Sequence, residues 1–129
     1  MTIDARSVAF DQLNQQVQAL DRDCTIVHCL GQRFIGTGMR RHQVLIHGTP
    51  GNALGAYLNG GTLEGFGNAQ DAVGDTMNAG SIIVHGSVGD TAGYAMRGGT
   101  IYVQGNAGYR AGVHMKAYQD TLPVMVIGG

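Results

Sequence analysis

GTPGNALGAYLNGGTLEGFGNAQDAVGDTMNAGSIIVHGSVGDTAGYAMRGGTIYVQG, residues 48–105, decides the fold. Gly48, Gly67, Gly86 and Gly105 fall 19 residues apart. Gly55, Gly74, Gly93 and Gly112 keep the same interval. Leu58, Met77, Met96 and Met115 form a third column, and Leu63, Ile82 and Ile101 a fourth. A period near 20 residues marks a solenoid or repeat array. The apolar runs of the unit, Ile82-Ile83-Val84 and Ile101-Tyr102-Val103, are β-branched or aromatic and bounded by glycine, as in short strands. A helical hairpin needs more residues and far less glycine. The reading is all-β: a right-handed single-stranded parallel β-helix of about five coils, stacked at roughly 4.8 Å. The two glycine columns form a structural ladder at sharp, closely stacked corners.

Outward from this stretch the repeat decays. Toward the N-terminus, Phe10, Leu13, Val17 and Leu20 lie on one face of a helix expected over Asp4 to Leu20. Solenoids cap their raw apolar ends, so residues 1–23 read as a capping helix and turn, and 24–129 as the β-helix domain. Thr25 to His28 is expected to be the first strand. A degenerate coil follows, with Arg41-His42 where later coils carry Gly60-Gly61, Ala79-Gly80 and Gly98-Gly99. Toward the C-terminus, Lys116 to Pro123 is four residues longer than the matching part of the regular coils and reads as a protruding loop. Register then resumes at Val124, with Val124 and Val126 inward. The coil due at Gly128 is missing, so the expectation is a homo-oligomer through Tyr118 to Gly129, since open strand edges recruit other chains.

The 129 residues suit one domain, and the net charge of −1 offers no electrostatic footprint for nucleic acid or an anionic membrane. No apolar run approaches the ~18 residues of a membrane span. The N-terminus lacks the basic start and apolar core of a signal peptide. The expected location is cytoplasmic. Cys24 and Cys29 are five apart, which is no metal or redox motif. On a regular strand they would face opposite sides, as two reduced thiols.

Few constellations invite chemistry. His28, His47 and His85 share one place in the coil, with Phe66 and Gln104 between and after them. Stacking would set His28 and His47 about 5 Å apart. Phe66 interrupts the column, and zinc normally wants at least three protein ligands, so a solvated or interface ladder is the better reading. The glycine runs precede no helix and fit no phosphate-binding fingerprint. Asp71, Asp75 and Asp90 fall at corners, where aspartate bonds turn amides. The methionine column reads as core filler. Strand alternation leaves one rather apolar outward face: Leu45, Glu64, Ile83, Tyr102 and Met125, flanked by His47, Phe66, His85, Gln104 and Ile127. Such a patch marks an interface. No catalytic, cofactor-binding or metal residue is assigned.

The string from Gly48 to Gly86, followed by GDTAGYAMRGGTIYVQGNAGYRAGVHMK, resembles the glycine-rich GXGXG β-helix domain of glutamate synthase. It is nearest to the stand-alone form in archaeal and methylglutamate-synthase-type enzymes. The repeat-bearing subunit of formylmethanofuran dehydrogenase looks like a cousin. The resemblance implies a non-catalytic scaffold. Its partners would be an amidotransferase part and an FMN-binding synthase part, with FMN and Fe–S clusters held by those partners. A formyltransferase/hydrolase-type complex, or a small β-helix enzyme with its own site, are the rival readings. Family members usually continue for further coils after Val126-Ile127-Gly128-Gly129.

Overall fold

The computed structural model describes residues 1–20, 22–117 and 122–129. Seven strands form one parallel sheet in sequence order. They are β1 (Thr2–Asp4), β2 (Cys24–Leu30), β3 (Gln43–Thr49), β4 (Asn59–Gly65), β5 (Ala79–Val84), β6 (Thr100–Val103) and β7 (Val124–Ile127). Between β3 and β6 the register advances by one repeat per coil: Val44, Leu63, Ile82 and Ile101 stack in turn. Parallel neighbours in strict sequence order, one strand per coil, make a parallel β-helix of about five turns. Ile82, Ile101 and Leu63 are fully buried inside it, with Leu58, Met77 and Met96 from the opposite wall.

The wall opposite the sheet is built from turns, and its conformation explains the second glycine column. Each coil places three residues in the left-handed region, two apart: Ala53, Gly55 and Tyr57; Ala72, Gly74 and Thr76; Thr91, Gly93 and Ala95. The central member faces the core. A Cβ on Gly74 would lie 2.5 Å from Ile101 Cδ1, and one on Gly55 would lie 2.5 Å from Ile82 Cδ1. The flanking members carry side chains: Tyr57 is exposed, Ala72, Thr76, Thr91 and Ala95 are half-buried, and Ala53 is buried. The column of Gly67, Gly86 and Gly105 has another cause. There, a Cβ would meet the backbone of the preceding coil. Corner side chains tie the coils further: the Asp90 N–H donates to Asp71 Oδ1 and the Tyr109 N–H to Asp90 Oδ1, each 2.8 Å.

The ends differ from the sequence expectation in four ways. First, α1 spans Phe10–Ala19 only, and Thr2–Asp4 is a strand that pairs with β2. Strand β2 is therefore the second strand. The helix buries Leu13 and Val17, while Phe10 lies at the surface against Phe34, under the Arg33 guanidinium. Second, β2 carries a bulge: Ile26 pairs with Ile46 but Cys29 pairs with Gly48. His28, at φ 59°, is the extra residue. It therefore drops out of the expected ladder with His47. The bulge also reverses the alternation, so Cys24 and Cys29 are both buried.

Third, β7 pairs one residue later than expected. Met125 stacks on Ile101 and Ile127 on Val103, which turns Val124 and Val126 outward. Met125 is thus an inward residue, and its Cε stands where a Cβ on Gly93 would have to go. The loop expected over Lys116 to Pro123 falls partly on residues 118–121, outside the described residues, as does Asp21 of the expected turn. Fourth, Gln32 is a buried polar knot that the sequence reading passed over. Its side-chain amide donates to Ala5 O and Val8 O, each at 2.9 Å. Its Oε1 accepts from the Leu30 N–H at 2.7 Å and from the Cys29 thiol at 3.4 Å. This clamps the N-terminal segment to the second coil.

Candidate docking face

The outward side of β3 to β7 carries two adjacent columns. Strand pairing puts Leu45, Glu64, Ile83, Tyr102 and Val126 in one. The other holds His47, Phe66, His85 and Gln104, held in step by backbone bonds such as His85 N–H to Gly65 O at 2.9 Å. Val126 takes the place expected for Met125. Phe66 and Tyr102 are 45% and 46% exposed, large for aromatic side chains on a rigid sheet. Leu45 and Ile83 are half-buried between their neighbours.

The second column is a stack of rings. The His47 and Phe66 centroids lie 4.9 Å apart and those of Phe66 and His85 5.2 Å, with interplanar angles of 13° and 12°. The strand spacing itself sets this distance. His85 closes the stack by reaching both ways. Its Nδ1 lies 3.2 Å from Gln104 Oε1 and its Nε2 lies 2.7 Å from Glu64 Oε2. The Glu64 bond, then the Gln104 bond, raises the His85 pKa above its ordinary value. The sequence reading placed both residues but missed their union. The signal was available: Glu64 and His85 differ by one repeat plus two, which is a diagonal contact on a parallel sheet.

The arrangement is a flat platform: three apolar side chains, a three-ring stack and a phenol, with the Glu64–His85 contact at its centre. Such a surface is suited to contact, since it combines aromatic area with rigid presentation. It holds no activated nucleophile. The chain's two thiols lie elsewhere, inside the coil; burial raises Cys29 to about 11 and raises Cys24 as well. Thiols so shifted stay protonated and unreactive at neutral pH. Among the described residues no three His, Cys, Asp or Glu come together in a metal-holding group. Among the described residues no helix is long and apolar enough to cross a membrane.

A protein of Methanocaldococcus jannaschii, described as "Uncharacterized protein MJ1350", is 46% identical over 137 aligned positions. The alignment takes in 100% of this chain and 52% of that relative, so the chain spans about half its length. No solved structure matches the chain. The profile of the GXGXG motif family matches residues 5–129, all but the first four positions, and the chain belongs to that family.

Proposed function

We propose that this chain is a non-catalytic scaffold, a subunit or domain of a glutamate-synthase-like complex. Its role is to hold a glutamine-hydrolysing amidotransferase part and an FMN-binding synthase part in register. The complex then carries an amino group from glutamine to a 2-oxoglutarate-type acceptor. The observation that carries this reading is the family match over almost the whole chain, joined to a rigid exposed platform and thiols that burial keeps inert. The cofactors belong to the partners. An Fe–S cluster is usually held by four thiolates, and this chain has two cysteines, both buried.

The test is assembly. Ile83→Lys with Tyr102→Lys places two charges on the platform without touching the core. The expected result is an unchanged melting temperature and loss of the partner proteins that co-purify with the wild type. Retention of every partner by the double variant would move the docking face elsewhere. Glutaminase turnover or a flavin spectrum in the purified chain alone would overturn the scaffold reading.

A further inference from the structure

A cavity of about 580 Å³ opens between the C-terminal end of α1 and the coil that runs into β3. Its apolar wall is formed by Val17, Leu20, Met39 and Val44. Its rim carries Arg22, Arg40, Arg41 and His42. Three of the chain's eight Lys and Arg therefore gather at one cleft of an otherwise nearly neutral protein. Among the described lining residues there is no carboxylate.

The cleft sits where the repeat is broken. Arg41 and His42 occupy the corner that Gly60-Gly61 and Ala79-Gly80 occupy in the next coils. His42 has φ 81°, the left-handed conformation held at the same place by Gly61 at 77°, Gly80 at 89° and Gly99 at 80°. In those later coils a Cβ would run into the backbone of the coil before: 2.5 Å from His42 O at Gly61 and 2.7 Å from Gly61 O at Gly80. At His42 a side chain takes that corner instead, and it lines the cleft together with Arg41. An unfavourable backbone at a non-glycine residue, beside a cavity, points to a role for its side chain.

We propose that this cleft binds a small organic anion: a carboxylate or phosphate group carried on a short apolar body. The guanidinium groups of Arg40 and Arg41 match the planar, two-oxygen geometry of either head group. His42 adds a third donor. The wall of Val17, Leu20, Met39 and Val44 takes the apolar body. The volume lies inside the ~300–1,000 Å³ range of small-molecule sites. The site is separate from the ring-stacked platform and stands or falls independently of the scaffold reading.

The test is a titration of the isotope-labelled chain with hexanoate and with hexyl phosphate, followed by amide chemical shifts. Acetate, inorganic phosphate and hexanol serve as head-only and body-only controls. One or both charged hexyl probes should saturate a set of shifts at Val17, Leu20, Met39 and Val44, and which of them binds tighter names the head group. Arg40→Gln with Arg41→Gln should weaken that probe by about tenfold, the loss expected for charge-assisted bonds. His42→Gly installs the residue its column prefers, relaxes the backbone, and should weaken binding too if the arginine variant fails to fold. Hexanol binding as tightly as the charged probes, affinity unchanged in these variants, or no shifts at millimolar probe would each overturn the proposal.

Discussion

At the scale of single residues, one turn contains its own control. Ala72, Gly74 and Thr76 all have positive φ, between 53° and 69°. Only Gly74 faces the core, with Ile101 Cδ1 in the space of a Cβ. Gly74→Ala therefore adds both backbone strain and a core overlap, and should cost about 2–4 kcal/mol. Ala72→Gly relieves the same backbone strain without touching the core, and should change stability by no more than about 1 kcal/mol, in the stabilising direction. Thermal melts of the two variants check this; equal losses would mean that the φ values alone, or neither effect, set the glycine column. Gln32 makes the complementary point. Gln32→Leu leaves Ala5 O, Val8 O and the Leu30 N–H without their partner in a buried place, and should cost about 1–3 kcal/mol.

His85 extends the residue scale to pH. Its bond to Glu64 raises its folded pKa above the ordinary value of about 6.5. A raised histidine binds its proton more tightly folded than unfolded. Its stabilising contribution is therefore complete below the unfolded value and is lost as pH rises through the folded one. Both side chains are partly solvated, so the effect on overall stability is small. The pKa itself is the better readout: Glu64→Gln should lower the His85 titration midpoint toward the ordinary value, as followed by imidazole proton shifts. The repeat made Glu64 and His85 individually legible. Their contact was not, because it runs diagonally between columns that were read one at a time.

At the scale of elements, α1 stands in for the wall of a coil. In the regular coils, carbonyls on the turn wall accept backbone N–H groups from the coil before: Phe34 N–H donates to Asn52 O and Gly38 N–H to Ala56 O. One repeat earlier, Arg33 O and Thr37 O have no such coil to serve them. Side-chain amides of the helix take over, Asn14 Nδ2 to Arg33 O at 2.8 Å and Gln18 Nε2 to Thr37 O at 3.3 Å. Asn14 and Gln18, one helical turn apart, are thus the helix's working face. Asn14→Ala with Gln18→Ala should cost about 1–2 kcal/mol. The loss should appear as faster hydrogen exchange over residues 33–39, leaving β5 and β6 unchanged. Uniform acceleration would mean that the helix supports the fold as a whole. The sequence showed the helix through Leu13 and Val17 but overran its start, because Thr2–Asp4 is too short to show a strand period. It also misplaced β7, since Val124-Met125-Val126-Ile127 is apolar at every position and leaves register to the pairing itself.

At the scale of the whole molecule, every strand pairs only with its sequence neighbours. Stability is then close to a sum of coil terms and coil-to-coil interfaces. Such a chain is legible where it repeats, since Leu63, Ile82 and Ile101 each announce the next, and illegible where the β2 bulge breaks the count. Burial follows the same order. Val73, Met77 and Ile82 in the middle coils are fully buried, whereas Ala107 and Met115 are only partly so. Ile82→Ala opens a cavity in a layer that has a packed coil on each side, and should cost about 2–5 kcal/mol. Met115→Ala removes a half-exposed side chain and should cost less than half as much. Native-state hydrogen exchange separates the two cases further. Loss of Ile82 should lower protection across β4, β5 and β6 together, because each coil is a template for the next. Loss of Met115 should be felt mainly over residues 105–117. If both variants lower protection equally along the chain, the coils are not energetically local. The solenoid would then unfold as one unit, with the proposed docking face and the proposed anion cleft coupled through the same core.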